Sequence, residues 1–427
     1  MSGAVAPESS GREAATRVAG HGGTSLHTER AWGMLELVRR TLERPLASYQ
    51  LILGTSGLLL GLGLIMVLSA SSVWSQQVLE SNDMFGVFKK QFVFALLGLA
   101  AAFVATRLPL KVLRRLITPV LVVIVALIIA TYTPLGMEIN GNRNWLHLGP
   151  GLQVQPSEFA KLAVVLWIAN LYARRPPASP KQMILPMVPV TAAVAALVVG
   201  QDDLGTALVL FAVIVGMLWV AGLPARYMGV VLAGLGVVCI YFVATAPHRV
   251  ARLLTFLDPS SDPDKTGYQA IHAFMGFARG GFWGVGLGGS RQKWGSLPEA
   301  HTDFILAIIG EELGLFGSLV VLLLFALFAV AGIRVAMRTK DPFVRYAAAG
   351  IVIWILSQAM INMGMVLGLL PVVGIPLPLI SAGGSSLFAT LVACGILLNC
   401  ATTEPGARVA LDASRARRRR RAAARKR

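Results

Sequence analysis

The chain has 427 residues, 55% of them hydrophobic and only 14% charged, with a mean hydropathy of +0.68. Soluble domains carry about 25% charged residues, so a soluble enzyme or binding module is excluded and an integral membrane protein is indicated. The net charge of +17 does not point to nucleic acid, because the basic residues form no folded basic domain and are not interleaved with aromatics.

Met1 to Leu46 is rich in Gly, Ser, Ala, Glu and Arg. It lacks a charged start followed promptly by an apolar core and a small-residue cleavage site, so it reads as a disordered cytoplasmic tail before an uncleaved first span. Apolar runs near the ~20 residues needed to cross the bilayer then recur about ten times. They fall near 49–70, 88–106, 117–135, 157–174, 182–200, 203–222, 226–246, 304–333, 344–369 and 384–401. The fold class is therefore all-α and polytopic, with a membrane domain over 47–403, a large outer loop over 247–303 and a basic cytoplasmic tail over 404–427. Cys239, Cys394 and Cys400 lie in apolar spans without metal-ligand spacing and read as core residues.

Orientation follows from Lys and Arg near span ends, which stay cytoplasmic. One set of alternate loops carries Arg107, Lys111, Arg114, Arg115, Arg174, Arg175, Lys181, Arg226, Arg334, Arg338, Lys340 and Arg345. Both termini fall on that side. The continuous run Arg417 to Arg421 reads as a topology anchor and lipid-facing tail.

On the opposite face the first polar segment is Asn140 to Gly149, followed by Gln155-Pro156-Ser157-Glu158 and Lys161. Ser157 beside Pro156 suits a helix N-cap. Glu158 and Lys161, three apart, share a helix face and can pair; the alternative is that Lys161 or Arg143 meets an anionic ligand, with Trp145 at the interface. Asp202 and Asp203 then start a span, where capping and the helix dipole account for at least one acid.

The loop from about Pro247 to Asp303 is too long to be structureless, and Ala270 to Ala278 predicts a short apolar helix. Gly286 to Gly289 looks like a phosphate cradle but lacks the preceding strand a nucleotide site needs. Glycines there can still let Arg279, Arg291 and Lys293 approach a pyrophosphate. The loop closes on Leu297-Pro-Glu-Ala-His-Thr-Asp303, and Glu311 and Glu312 follow inside the span. Ionisable groups where a span leaves water are expensive and mark function. The helix dipole would lower the Asp303 pKa and desolvation would raise it, so its protonation is open. Pro371 to Ser386 holds prolines too dense for a continuous helix and predicts a re-entrant or cavity-lining loop.

In this order the segments resemble the SEDS family of shape, elongation, division and sporulation proteins over residues 49–402. The resemblance rests on Leu-Pro-Glu-Ala-His-Thr-Asp-Phe at 297–304, Gly-Glu-Glu-Leu-Gly at 310–314, Gln-Pro-Ser-Glu with Lys161, Asp-Leu-Gly-Thr-Ala at 203–207 and Pro-Leu-Pro-Leu-Ile-Ser at 376–381. The chain departs from the pattern at Asp202, Asn142, Asn144, His272 and Ala382.

The resemblance implies a ten-span peptidoglycan glycosyltransferase that polymerises lipid II on the outer face of the bacterial cytoplasmic membrane. Its expected partners are a class B penicillin-binding protein and other division proteins, at the septum. The family's catalytic aspartate maps onto Asp303, expected to act as general base in an inverting transfer. The candidate cations for the leaving pyrophosphate are Arg143, Lys161, Arg279 and Lys293, with a divalent ion held by carboxylate as the alternative and no metal ligands assigned. Trp145, Glu299 and His301 complete the expected substrate contacts; Glu158, Asp203, Glu311, Glu312 and Ser381 are expected to support them. The run Arg252 to Pro259 and Gln292-Lys293-Trp294 favour a division over an elongation role. A precursor transporter is the second reading, opposed by the lack of an inverted repeat and the concentration of polar groups on one face.

Overall fold

The computed structural model describes residues 44–77, 83–139, 142–149, 152–245, 247–259, 267–410 and 413. Positions 1–43 of the expected tail and the arginine run at 417–421 lie outside the described residues. Every expected span is helical: α1 Ala47–Gln77, α2 Gly86–Arg107, α3 Leu110–Ala130, α4 Pro156–Arg174, α5 Pro180–Ile184 leading into α6 Val188–Val199, α7 Leu204–Val220, α8 Ala225–Ala244, then α11 Ile305–Arg338, α12 Pro342–Val366 and α13 Gly384–Ala401. Eight of these stretches are long and apolar enough to cross a membrane by length and composition, and α7 is a shorter apolar helix. α4 is the polar exception, because it carries Glu158, Lys161 and Arg174.

α3 begins at Leu110 rather than near 117, so Lys111, Arg114 and Arg115 lie on the helix. The position is tolerated because Arg114 Nε donates to Asn170 Oδ1 of α4 at 3.2 Å and its guanidinium stands 5.3 Å from the Phe343 ring centroid. α13 packs against α2, α11 against α1, and α12 against α4, α7 and α11. In lipid such contacts depend on small residues that let backbones approach; a Cβ on Gly395 would meet Ala102 O at 2.5 Å. Nearby, Asn399 Nδ2 donates to Ala105 O at 2.9 Å and Leu108 O at 2.7 Å, capping the end of α2.

One element was not expected. β1 Gly136–Ile139, β2 Asn142–Gly149 and β3 Leu152–Val154 form a small antiparallel sheet in the order β1-β2-β3. Alternation along β2 buries Asn144 and Leu146 and leaves Arg143 and His147 exposed, as a half-buried strand requires. The outer loop also contains α9 Pro247–Leu257 and α10 Tyr268–Gly280, the latter containing the predicted short helix.

α11 has 34 residues, about 51 Å at 1.5 Å per residue, well beyond a hydrocarbon layer of about 30 Å. It breaks at Gly314, with φ 70° and ψ −166°. The loop after α10 fills the break: Val285 N donates to Glu311 O at 3.0 Å and Gly286 N to Glu312 O at 3.0 Å. In return Leu315 N donates to Gly281 O at 2.9 Å and Phe316 N to Phe282 O at 3.2 Å. A Cβ on Gly314 would lie 2.4 Å from both Gly284 N and Phe282 O. Gly314→Ala therefore combines left-handed strain with backbone overlap and is expected to cost roughly 3 kcal/mol, read as a lower melting temperature in detergent. An unchanged melting temperature would mean that the break relaxes without cost.

The proline-rich stretch at 371–383 has no helix, as its composition requires, and most of it is buried. It lines protein: a Cβ on Gly63 of α1 would meet Ile380 Cα at 2.6 Å, and Gln91 of α2 donates to Ser381 O at 3.0 Å and accepts from Gly383 N at 3.1 Å.

Candidate active site

Asp303 ends a turn immediately before α11. Three consecutive carbonyls of this turn are held from outside it: His301 O accepts from Ala382 N at 2.9 Å, Thr302 O from Ser381 Oγ at 2.6 Å, and Asp303 O from Asn362 Nδ2 at 2.7 Å. Glu299 sits at φ 55° and Leu379, on the facing stretch, at φ 66°. Such left-handed backbone in non-glycine residues costs about 1–3 kcal/mol each and persists where the surroundings enforce it. The Glu299 turn is held by Thr302 Oγ1, which donates to Glu299 Oε2 at 2.6 Å.

The Asp303 carboxylate is half-buried and accepts no hydrogen bond among the described residues. Burial first, then the nearby carboxylates of Glu299 and Asp203, push its pKa up to about 7. Its Oδ2 would lie 3.4 Å from a Cβ on Gly374, itself at φ 68°, so a glycine leaves room for the acid. Burial also holds the His301 imidazole below its ordinary pKa, against the opposing charge of Glu299. The result is a turn with a carboxylate that accepts a proton near neutral pH.

Of the two acids expected to include a cap, Asp203 is the one that caps. Its Oδ1 accepts from Thr206 N at 2.9 Å at the start of α7, while Oδ2 accepts from Gln155 at 2.9 Å, Ser157 at 3.2 Å and Asn144 at 3.3 Å. Asp202 pairs with Arg249 of α9. Asn144 thus faces Asp203, and strand alternation places Arg143 and Trp145 on the other face of β2. Arg143 donates to Thr133 O at 2.9 Å. The structure does not gather those two with Asp303.

Two of the expected cations are committed elsewhere. Lys161 is 1% exposed, with its ammonium 2.8 Å from Glu158 Oε1 and 2.9 Å from Gln358 Oε1. The pairing alternative therefore describes it, and a direct ligand contact does not fit this conformation. Lys293 is also buried, donating at 3.1 Å to both Glu312 and Ser69 of α1. Buried ammonium groups require such partners, since desolvating a lone charge is prohibitive. Arg279 pairs with Glu311 at 2.9 Å but keeps 34% of its side chain exposed, so it alone of the loop pair retains an open side.

Glu311 and Glu312 carry no exposed surface and organise the glycine-rich loop. Glu311 accepts from Arg279, from Ser290 Oγ, from Arg291 N at 2.9 Å and from Gln292 N at 3.3 Å; Glu312 accepts from Ser69, Lys293 and Ser290 N. Among the described residues no three His, Cys, Asp or Glu side chains gather to hold a metal ion.

Sequence reasoning missed Gln358 and Asn362 of α12, and Gln91 of α2. The signal was available: amides inside apolar helices are costly unless they bond, and 358 and 362 share a face at i, i+4. Of the departures from the family pattern, His272 Nδ1 meets Gln292 Oε1 at 2.8 Å, while Ala382 contributes its backbone N–H to the Asp303 turn.

Residues 49–405 match the family model described as a cell cycle protein, covering FtsW, RodA and SpoVE. The chain is 44% identical over 377 residues to a probable peptidoglycan glycosyltransferase FtsW from Mycobacterium tuberculosis, covering 88% of this chain and 71% of the relative. It is 38% identical over 346 residues to stage V sporulation protein E of Bacillus subtilis, covering 80% and 93%. Among solved structures it resembles a chain described under structural coordination of polymerization and crosslinking by a peptidoglycan synthase complex, with TM-score 0.69, 30% identity and coverage of 83% and 97%. The rod shape determining protein RodA of Thermus thermophilus aligns with TM-score 0.61 at 27% identity, covering 83% and 97%.

Proposed function

We propose, from the premise that the chain belongs to the FtsW, RodA and SpoVE family of cell cycle proteins, that Asp303 is the general base with which it builds glycan strands. The chain is a multi-pass membrane peptidoglycan glycosyltransferase. Its donor is a lipid-linked sugar pyrophosphate, lipid II, and the acceptor is the 4-hydroxyl of another sugar. An α-linked donor yielding a β-1,4 product requires inversion, for which one base suffices, because pyrophosphate leaves without the protonating acid a glycoside needs.

The observation that carries this reading is the Asp303 carboxylate, half-buried, without a hydrogen-bond donor among the described residues and pushed up to about 7 by burial. A base works best when its pKa lies near the operating pH. Arg279, paired with Glu311 but 34% exposed, is a cation with an open side for charge developing on the leaving group. The basic residues at the opposite helix ends support cytoplasmic termini with Asp303 on the outer face. The stronger likeness to FtsW proteins supports a septal site, and the likeness to a complex coupling polymerization with crosslinking supports a penicillin-binding partner. Purified protein with that partner and labelled lipid II is expected to yield polymer. Movement of lipid II across vesicles with no polymer formed would favour the transporter instead.

Ionised Asp303 must accept the proton, so the rate is expected to rise with pH through about 7. Glu299→Gln removes a negative charge that raises the Asp303 pKa. The acid limb of the pH–rate profile is then expected to move to lower pH. A limb that stays in place or moves upward would contradict the electrostatic role of Glu299.

A further inference from the structure

Taking Asp303 as the base, we propose that Asn362 is the positioning residue that fixes both the Asp303 carboxylate and the wall it faces. Asn362 is fully buried on α12. Its one amide nitrogen donates to Asp303 O at 2.7 Å and to Ile375 O at 2.6 Å, joining segments 59 and 13 residues away in sequence. Its Oδ1 is buried with no partner among the described residues. A side chain that only filled space here would be apolar, because a buried acceptor left unpaired is a cost. The two donated bonds are what an amide supplies and a Leu or Met does not.

The placement matters because the carboxylate itself accepts no hydrogen bond among the described residues. Its position is set through the backbone, and Asn362 holds the carbonyl of that same residue. The second bond holds Ile375, next to Gly374, whose missing Cβ leaves the space beside Oδ2. One α12 turn earlier, Gln358 Nε2 donates to Pro376 O at 3.0 Å while its Oε1 accepts from Lys161 and from Trp354 Nε1 at 3.0 Å. The polar face of α12 therefore fixes the proline-rich wall at 375 and 376 and the acid opposite it from one rigid helix. Glu299 on the acid's own turn and Asp203 at the start of α7 are the charged groups whose distance from Asp303 this arrangement sets.

The test is the pH–rate profile of lipid II polymerisation, from about pH 5 to 9, by the full chain with its partner. Asn362→Ala is expected to lower the maximal rate by about 10²-fold, the scale of a 1 Å misplacement, with little change in KM. Its acid limb is expected to move to lower pH as the carboxylate gains solvent. Asn362→Gln, which keeps the amide, is expected to recover part of the rate. Ser381→Ala, which removes the neighbouring bond to Thr302 O, should shift the limb in the same direction and carries the test if Asn362→Ala does not accumulate folded.

A native rate in Asn362→Ala, or a lower rate with an unmoved limb in the variants that fold, overturns the proposal and leaves a packing role. Asp303→Asn separates the two claims. If that variant is inactive while Asn362→Ala behaves as native, the positioning role alone fails; if Asp303→Asn polymerises normally, the base assignment fails first.

Discussion

Asp303→Asn is expected to reduce lipid II polymerisation by about 10²–10⁴-fold, the range a positioned general base supplies, while leaving the protein folded and bound to its partner. The same change is expected to stabilise it. The folded-state pKa of about 7 lies above the ordinary 3.8, so between these values the folded protein holds a proton that the unfolded chain releases. Stability is then fully present below the unfolded value and falls as pH rises through this window, with the whole penalty felt above about 7. An amide never ionises and escapes the penalty. About three pH units at 1.36 kcal/mol each set an upper bound near 4 kcal/mol, and partial contact with solvent lowers this to about 1–2 kcal/mol. Melting in detergent should show the variant's advantage growing from pH 5 to pH 8. Polymerisation at the native rate would refute the base role, and a gain that shrinks with pH would refute the electrostatic account.

The largest structural loss is expected at Glu311. Its carboxylate has no exposed surface and holds Arg279, Ser290 and the backbone N–H groups of Arg291 and Gln292. Glu311→Ala removes every one of these acceptors and strands the donors. Truncating one partner of a buried charged network costs about 3–5 kcal/mol. Limited proteolysis should cut the stretch 281–293 faster in the variant, alongside a lower melting temperature. Arg279→Ala is expected to be milder, because Glu311 keeps its remaining donors and Arg279 is already partly solvated. Equal losses in the two variants would show that the ion pair, rather than the backbone N–H bonds, holds the loop.

The spans were legible because lipid imposes a length and a composition that any apolar run declares. Asp203 was legible as a cap because a cap is a local event. The Lys161–Glu158 pair was legible from its three-residue spacing, but the burial of Lys161 and Lys293 was not, since it depends on Gln358 and Ser69, far away in sequence. A charge beside a turn looks the same whether its partner is a ligand or another helix. The polar residues of Asn140 to Gly149 mask its strand alternation, although Asn140-Gly141 is a known hairpin signal. Asn362 escaped because an amide in an apolar run shows that a partner exists without naming it.

The exchange of hydrogen bonds at Gly314 bears on how the chain is made. In a continuous helix the carbonyls of Glu311 and Glu312 would accept from the N–H groups of Leu315 and Phe316; with the break at Gly314 all four take partners in the preceding loop instead. Left unpaired, such groups cost several kcal/mol apiece wherever lipid replaces water. Their partners, Gly281 to Gly286, are synthesised earlier and so are already available when α11 arrives. Opening the break at Gly314 without stranding these groups is therefore a docking event between two successive products of translation.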